Sequence, residues 1–337
     1  MKTTPIWGAA TALALTLSSC SAAVDTTTVT VITHDAWAMS TDAITAFEEE
    51  SGYTLEFLAP GDAGTLVSQL ILTADNPLGD VVYGVDNTFA SRATNAGIFE
   101  PYESETEGTF ADVGGFPGLT AIDYSYVCIN ADTGYFTSHD VPLPRSLEDL
   151  TKPEYAGLLS VTNPATSSPG LAFLLATVAS QGDEWPAYWE ALVANEVRVT
   201  SSWSETYFTD FSAPNYGGDY PLVLSYASSP PFEVIDGEAT TVALLDTCFT
   251  QVEYAGVLAG TDNPDGAQAV IDWMRSQEFQ QELPTQMYVY PISRDVDLPE
   301  EWASHAPAPT APFTLDPQVI DENRADLIAR WNSIVLD

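Results

Sequence analysis

The stretch VTVITHDAWAMSTDAITAFEEESGYTLEFLAP, residues 29–60, predicts the fold class. Its apolar start is typical of a buried strand. Residues 41–51 have the period of an amphipathic helix, which Ser40 or Thr41 would cap, and TLEFLAP indicates the next strand. A strand, a single helix and a second strand form a unit in which the two strands lie parallel in one sheet.

The same alternation continues along the chain. GDAGTLVSQLILTA (61–74) predicts a loop and a helix, and GDVVYGVDN (79–87) predicts a third strand. Single helices between successive strands indicate an α/β fold with a mainly parallel sheet covered on both faces. Ligands of such sheets lie beyond the carboxyl ends of the strands. The loops at those ends, HDAW (34–37), PGDAG (60–64) and GVDN (84–87), each contain a carboxylate.

The second half of the chain predicts a second α/β lobe. AIDYSYVCIN (121–130) is a strand that would cross into it, and TQVEYAGVLAG (250–260) would return. We therefore predict a first lobe from residues 29–122 and 246–337, a second lobe at 123–245, and a ligand cleft between them. Further helices are predicted at residues 184–194, 263–281 and 316–335.

A small polar loop precedes one helix of the second lobe. In VTNPATSSPG (161–170), Thr166, Ser167 and Ser168 can cap the helix, and Pro169 is tolerated in its first turn. The free amides of that turn favour a phosphate or a carboxylate. A well-capped helix without any ligand is the alternative interpretation.

Charge is the unusual feature of the composition. The chain has 337 residues with 48 acidic and 9 basic side chains, a formal net charge of −39, while 45% of its residues are hydrophobic. That hydrophobic content is ordinary for a globular protein and argues against disorder. The negative surface argues against nucleic acid and anionic lipid as partners, and we interpret it as an adaptation for solubility.

The N-terminal residues 1–20 predict a lipoprotein signal peptide. Lys2 precedes an apolar run, and LSSC (17–20) resembles the lipobox of bacterial lipoproteins. The resemblance implies export, lipid modification of Cys20, and a polar tether at residues 21–28. The protein would then be anchored to the membrane at the extracytoplasmic face. An ordinary secretory signal is the alternative.

Two cysteines, Cys128 and Cys248, remain in the exported chain, and outside the cytoplasm we expect them to form a disulfide. Three histidines and no CxxC motif argue against a metal site, and no cofactor is expected. The chain contains neither GxSxG nor HExxH, so we predict no catalytic residue and no enzyme.

The predicted strand ends bring two kinds of side chain toward the cleft. Aromatic faces attract cations by roughly 0.5–2 kcal/mol each, so rings beside carboxylates and an anion-binding loop predict a site for a flat cation that bears a phosphate. Singly, each ring is more simply core and each aspartate more simply a turn residue. The rings are Trp37, Trp203, Tyr207, Tyr226, Phe232 and Tyr288; the other groups are Asp35, Asp62, Asp86, Thr166 and Ser167.

Motifs along nearly the whole chain resemble the thiamine-binding proteins of bacterial ABC importers. This resemblance implies a two-lobe, type II periplasmic-binding-protein fold, thiamine or its phosphates as ligand, a membrane permease as partner, and a monomer whose lobes close on the ligand. The hinges would lie near residues 123–128 and 246–253. The motifs are THDAW, DVVYGVDN, AGIFEPY, AIDYSYVCIN, NPATSSPGLAFLL, VTSSWSETYF, LVLSYASSPPF and PTQMYVYPI.

The resemblance also implies roles for single residues. A phosphate would be held by Thr166 and Ser167, the rings would be Trp203 and Tyr226, and Asp62 would be the acidic contact of the first lobe. Three positions depart from the family pattern: His34 and Phe232 replace tyrosines, and Tyr288 replaces a tryptophan. A protonated His34 would repel a cationic ligand.

Two alternatives remain open from the sequence. The first is a substrate-binding lipoprotein for a polyamine, an organophosphonate or ferric iron. Iron sites of this fold present adjacent tyrosines, whereas Ser125 separates Tyr124 from Tyr126 here. The second is a secreted hydrolase that uses a serine of the 161–170 loop, for which no neighbouring base can be named.

Overall fold

The computed structural model describes residues 27–102, 104 and 115–336. The predicted signal peptide with Cys20, and the tether up to residue 26, lie outside this range. In chain order the strands are β1 Thr28–Ile32, β2 Thr54–Leu58, β3 Val81–Asp86, β4 Thr120–Asp132, β5 Leu159–Thr162, β6 Arg198–Thr200, β7 Leu222–Tyr226, β8 Val234–Ile235, β9 Glu238–Ala239, β10 Thr241–Val257 and β11 Tyr290–Pro291.

Helices separate most of these strands. Ser40 caps the first helix, as predicted, by accepting a hydrogen bond from the Ala43 N–H (3.1 Å). The helices are α1 Thr41–Ser51, α2 Ala63–Leu72, α3 Ala90–Asn95, α4 Thr133–His139, α5 Ser168–Gln181, α6 Trp185–Ala194, α7 Trp203–Glu205, α8 Pro264–Met274, α9 Gln277–Gln286, α10 Trp302–His305 and α11 Pro317–Val335.

The large sheet has the strand order β2-β1-β3-β10-β4-β7-β5-β6, and β11 pairs with β4. Its two ends are parallel ladders, β2-β1-β3 in one half and β7-β5-β6 in the other. The α/β class is therefore confirmed. The two predicted sheets are joined into one, because β4 and β10 run antiparallel through its centre.

The long central strands carry the chain between the two halves. β4 has 13 residues and β10 has 17, and at roughly 3.3 Å per residue each spans about 40 Å or more. Toward one end β10 pairs with β3, and toward the other β4 pairs with β7. The predicted crossings at 123–128 and 246–253 lie within these two strands.

A disulfide joins the two central strands. It links Cys128 of β4 to Cys248 of β10, both of them buried. The pairing of β10 with β4 shifts register between Leu244 and Phe249, so Cys248 lies in the irregular segment between two regular ladders. The bond therefore fastens the strands to each other where hydrogen-bonded pairing is interrupted.

The predicted helix at 263–281 is in fact two helices. Asn263 caps α8, and Ser276 begins α9 by accepting a hydrogen bond from the Phe279 N–H (3.3 Å). A serine hydroxyl competes with the helical backbone, and this one stops the first helix and starts the second. The apolar side was predicted correctly. Its members are all fully buried: Ala267, Val270, Ile271, Met274 and Phe279.

The C-terminal helix α11 contacts both halves of the molecule, although its residues were predicted to belong to the first lobe. Trp331 is buried edge-on against Trp189 of α6, with ring centroids 5.4 Å apart. On the other half, Arg324 donates to Ser91 Oγ of α3 over 3.2 Å. This helix therefore braces one half against the other.

Candidate functional site

A cavity of about 290 Å³ lies between the two halves, on the side of the sheet where β1 ends. Loops from both halves line it, as expected for ligands bound beyond strand ends. The first half contributes His34, Asp35, Trp37, Asp62, Gln286, Met287 and Tyr288, β10 contributes Gln251 and Glu253, and the second half contributes Ser168, Pro169, Trp203, Tyr207, Phe208, Tyr226 and Phe232.

Aromatic rings form the wall on the second half. Trp203 stacks on Tyr207, with centroids 5.1 Å apart, and lies 5.8 Å from Tyr226. Its indole N–H donates to Ser225 Oγ over 3.0 Å, which fixes the ring plane. Two further rings, Phe232 and Tyr288, meet edge to face at 5.0 Å across the cavity mouth. These contacts hold several π faces in place before any ligand binds.

His34 Nε2 lies 3.4 Å from Glu253 Oε1 at the cavity, and the two side chains form an ion pair when the imidazole is protonated. Burial would lower the pKa of His34, but the carboxylates of Glu253, Asp62 and Asp35 raise it above its usual value. The Ala36 N–H donates to Nδ1 over 3.2 Å. That bond places the proton of a neutral imidazole on Nε2, facing Glu253, and it must break if Nδ1 is protonated.

Two more ionisable side chains, Tyr83 and Asp123, lie beside this pair. The Tyr83 hydroxyl donates to Asp123 over 2.6 Å and to Glu253 over 3.2 Å. Burial, and then the Glu253 charge, raise the pKa of Asp123 well above its usual range, which favours the protonated form of Asp123. Burial acts in the same direction on Glu253, yet the His34 charge and these hydrogen bonds keep its pKa below the usual value. Glu253 is thus the charged carboxylate at this point of the cavity.

Asp62 bridges the two halves. Its carboxylate accepts hydrogen bonds from Ala63 N–H (2.6 Å) in its own helix and from Ser168 N–H (3.3 Å) and Trp203 N–H (3.0 Å) across the cleft. Burial raises the pKa of Asp62, while the Trp203 amide is the largest opposing influence. A backbone bond from Thr65 N–H to Thr166 O (3.2 Å) lies beside it. The cleft is therefore closed at this edge.

Residues 76–316 match a family model described as bacterial extracellular solute-binding protein. The chain belongs to this family. Within the residues that the structure describes, no helix of this solute-binding protein combines the length and the hydropathy needed to cross a membrane. The described residues also contain no group of three or more His, Cys, Asp or Glu side chains that could hold a metal ion.

Curated relatives make the similarity more specific. The thiamine-binding periplasmic protein of Salmonella typhimurium is 31% identical over 317 residues, 91% of this chain and 93% of that protein. The thiamine-binding periplasmic protein of Escherichia coli is 30% identical over 321 residues, again 91% and 93%. These matches confirm the resemblance that the sequence motifs indicate.

Solved structures share the fold. A periplasmic thiamin binding protein superposes with a TM-score of 0.82 at 27% identity, over 91% of this chain and 96% of its own. AfuA from Actinobacillus pleuropneumoniae with fructose-6-phosphate bound (TM-score 0.74, 17% identity) and iron-bound HitA from Pseudomonas aeruginosa (0.71, 21%) cover 91% of this chain and 98% and 99% of theirs. The two-lobe binding-protein fold is thereby confirmed.

Most, but not all, of the predicted site residues line the cavity of this solute-binding protein. Asp86 is fully buried below it, where its carboxylate accepts from Thr88 Oγ1, and burial raises its pKa to about 7. Thr166 Oγ1 donates to Ser201 O over 2.7 Å, and Ser167 is fully buried at the start of α5. The predicted residues that line the cavity are His34, Asp35, Trp37, Asp62, Trp203, Tyr207, Tyr226, Phe232 and Tyr288.

Four residues at the cavity or beside it were not predicted from the sequence: Glu253, Gln251 and the buried pair of Tyr83 and Asp123. The sequence contained a signal for two of them, because Glu253 and Asp123 are charged residues beside apolar ones in their strands, and a charge inside a buried strand is seldom unpaired. The sequence does not show that Glu253 and Asp123 lie close together, since this depends on their pairing across β10 and β4.

Proposed function

We propose that this solute-binding protein binds thiamine, or a phosphate ester of it, in the cavity between its lobes and delivers it to the permease of an ABC importer. The observation that carries the proposal is the pairing of an aromatic wall with charged carboxylates in one cavity. Thiamine consists of two planar rings, one of which carries a permanent positive charge, so both kinds of group attract it. The curated relatives named above point to the same ligand.

The proposed contacts divide between the two lobes. The rings of Trp203 and Tyr226 would face the heterocycles, and Trp37, Phe232 and Tyr288 would complete the enclosure. Glu253, Asp35 and Asp62 would supply the negative potential that the cation requires, with His34 modulating Glu253. In the proposal Asp86, Thr166 and Ser167 act from behind the cavity wall, since they do not line it.

Transport requires a cleft that opens and closes, and we assign the hinge to β4 and β10. These strands are continuous through both halves, so a change of twist near Asp123–Cys128 and Asp246–Glu253 would rotate one half relative to the other. The predicted lipid on Cys20 would keep the protein, as a monomer, at the extracytoplasmic face near its permease. In transport the protein would bind thiamine without converting it chemically, so thiamine should be recovered unchanged.

Calorimetric titration tests the ligand. The chain from residue 21 onward, with Cys20 omitted, is unfolded, washed free of carried-over ligand, refolded and titrated with thiamine. We expect one site with a Kd below about 1 μM, which corresponds to roughly −8 kcal/mol. Folded protein that gives no heat with thiamine would overturn the proposal, and putrescine, an alkylphosphonate and ferric citrate would be titrated next.

The position of two tyrosines argues against the iron alternative. Tyr124 and Tyr126 do not line the cavity; they pack around Tyr290, with centroids 5.2 and 6.0 Å away. A phenolate iron ligand would have to leave this aromatic cluster, and burial already raises the pKa of Tyr124 to about 12, which disfavours the phenolate.

The hydrolase alternative is tested with an ester. Prolonged incubation with thiamine monophosphate, followed by chromatography, tests for hydrolysis, and we expect the ester to remain intact.

A further inference from the structure

The pairing of β10 with β4 is interrupted at two places. The register shifts between residues 244 and 249 and again directly after Glu253, and the five residue pairs between these shifts lie at the proposed hinge. The disulfide of Cys128 and Cys248 fastens the two strands at the first shift. The last pair before the second shift consists of two carboxyl side chains, Glu253 and Asp123. At that end of the hinge, two acidic groups face each other across the strands.

Glu253 has an acidic partner on each side in the sheet. Its partner on β4 is Asp123 and its partner on β3 is Asp86, and all three side chains are buried. Like charges that lie opposite each other on neighbouring strands repel, and carboxyl groups so close together do not all ionise. Burial, and then the Glu253 charge, raise the pKa of Asp123 well above its usual range, whereas burial raises the pKa of Asp86 to about 7. Asp123 is therefore the carboxyl group that holds its proton more firmly.

The hydrogen bonds of Asp123 show where this proton lies. The Tyr83 hydroxyl has one hydrogen and donates it to Asp123 Oδ2 over 2.6 Å. The other oxygen, Oδ1, is buried and has no hydrogen-bond partner within the described part of the chain when Asp123 is ionised. A neutral carboxyl group has one hydrogen to donate, so Oδ1 is the oxygen that carries it. After burial and the Glu253 charge, a hydrogen bond between the two carboxyl groups is a further cause of the raised pKa of Asp123.

We infer that Asp123 is a positioning residue for ligand capture: as a neutral acid it donates a hydrogen bond to Glu253, which holds the Glu253 carboxylate at the cavity and fastens the end of the hinge opposite the disulfide. The inference rests on the proposed function, in which Glu253 supplies negative charge to the ligand. Asp123 itself does not line the cavity, so it acts through Glu253. His34 approaches the same carboxylate from the cavity, and Glu253 is thus held from two sides.

The test uses variants that separate the hydrogen bond from the charge. Asp123→Asn retains a neutral group that donates to Glu253 and accepts from Tyr83, whereas Asp123→Ala removes both functions. Asp123→Leu is a second variant that lacks the donor and fills more of the space. Glu253→Gln neutralises the opposite member of the pair. The matched control is Asp132→Ala, which removes another buried, hydrogen-bonded aspartate of β4 at a place outside the cavity.

The first readout is the Kd for thiamine, measured by calorimetry on variants that thermal unfolding shows to be folded. Asp123→Asn should change the Kd less than about twofold, because it replaces one neutral donor by another. Asp123→Ala, Asp123→Leu and Glu253→Gln should each raise the Kd at least about tenfold. Asp132→Ala should lower the Tm and change the Kd less than about twofold, because its contacts lie away from the ligand.

The second readout is the infrared spectrum of the ligand-free protein at about pH 8.5, where ordinary carboxyl groups are ionised. A neutral carboxyl group has a C=O stretch that a carboxylate lacks. Asp86, with a pKa of about 7, is mostly ionised under these conditions. The unmodified protein should show the neutral band, Asp123→Asn should lose it, and Asp132→Ala should retain it.

The outcomes separate the inference from the proposed function. Equal Kd values for Asp123→Asn and Asp123→Ala would overturn the inference, because the donor would then be without effect. A neutral band that persists in Asp123→Asn would overturn it as well, since the proton would belong to another group. Folded, unmodified protein that shows the band but does not bind thiamine would overturn the proposed function, and with it the role of Asp123 in capture.

Discussion

At the scale of single residues, Trp203 connects the parts of the site. Its ring stacks on Tyr207, its indole N–H is held by Ser225, and its backbone N–H reaches Asp62 in the other lobe. The ring is therefore held by a neighbour in its own segment and by the end of β7, while Asp62 of the other lobe holds the backbone. Such a ring pays little conformational entropy when a flat ligand stacks on it.

Replacement of Trp203 by alanine should weaken thiamine binding at least tenfold, about 1.4 kcal/mol, because a cation–π face is lost while the backbone N–H to Asp62 is kept. Calorimetry measures the change. Tyr135→Ala is the control, since Tyr135 lies on α4 and stacks on His139 away from the cavity. An unaltered Kd for the Trp203 variant would exclude this ring from the ligand contacts.

His34 is the residue at which protons and a cationic ligand compete. Burial alone would lower the pKa of His34, but Glu253, Asp62 and Asp35 raise it above the usual value of about 6.5, so the imidazole gains its second proton at a higher pH than a free histidine does. Protonation adds a positive charge to the cavity and breaks the bond from Ala36 N–H. A bound cation disfavours the same proton, so by linkage affinity is full at high pH and is lost as the pH decreases.

We expect the Kd for thiamine to rise at least about fivefold between roughly pH 8 and pH 5.5, and His34→Gln to remove most of this rise. A residual slope should remain, because Asp86, with a pKa of about 7, also loses negative charge over this range. His139→Gln on exposed α4 is the control and should retain the full slope. A flat profile in the unmodified protein would contradict this assignment.

Single residues of the site differ in how well the sequence predicts them. Trp37, Asp62 and Trp203 were predicted because they stand in loops at strand ends, where local pattern and function coincide. Glu253 was missed because it stands inside a strand, and its role depends on Tyr83 and Asp123, which reach it only through strand pairing. Local pattern predicts position along the chain, whereas these contacts are set by tertiary structure.

At the scale of elements, the first turn of α2 lies directly against the loop before α5. Gly64 faces the backbone of Ala165 and Thr166, and a Cβ at this position would lie 2.7 Å from the Thr166 carbonyl carbon and 2.8 Å from the Ala165 oxygen. The glycine therefore permits the close approach through which Thr65 N–H reaches Thr166 O. Two helix starts meet at this edge of the cleft.

Gly64→Ala should act differently on the stability of α2 and on closure of the cleft. Within α2 alone, alanine favours the helix by about 1 kcal/mol, so the first lobe should not lose stability. Across the cleft the new methyl collides with backbone that cannot turn aside, so closure and thiamine affinity should fall, by at least about tenfold in Kd. Gly134→Ala in α4, where the nearest atom is a side-chain oxygen at 3.2 Å, should leave affinity unchanged. Calorimetry and thermal unfolding together check both parts, and undiminished affinity would show that this contact is not needed for closure.

Secondary structure was predictable where a helix or strand is decided locally. The caps of α1 and the apolar side of α8 follow from residue type and period. The length of β10 could not be predicted in this way. Its first residues, from Thr241 on, form a strand because they pair with β4, which is distant in sequence. The continuity of the sheet across both lobes was not predictable for the same reason, because the strands that join the two halves are defined by their pairing.

At the scale of the whole molecule, a surplus of negative charge surrounds a site for a cation. The net charge is −39, and ion pairs such as Lys152 with Asp149 and Arg198 with Glu205 can compensate only a minority of the 48 acidic side chains, because the chain has only 9 basic ones. Most acidic side chains therefore repel one another without compensation, which destabilises the compact state. The same field attracts a cation toward the cleft.

Salt should therefore move stability and affinity in opposite directions. Between about 10 mM and 0.5 M NaCl the screening length shrinks from about 30 Å to less than 8 Å, so repulsion among the acidic side chains weakens and the Tm should rise by several degrees. The attraction of thiamine is screened as well, and its Kd should increase a few-fold.

Thermal unfolding measures the Tm and calorimetry measures the Kd. KCl in place of NaCl tests for an ion-specific effect, and sucrose at equal osmolality is the uncharged control. A Tm that falls with salt would mean that the acidic surface is compensated in the folded state. An affinity that rises with salt would mean that the cavity does not attract its ligand through charge.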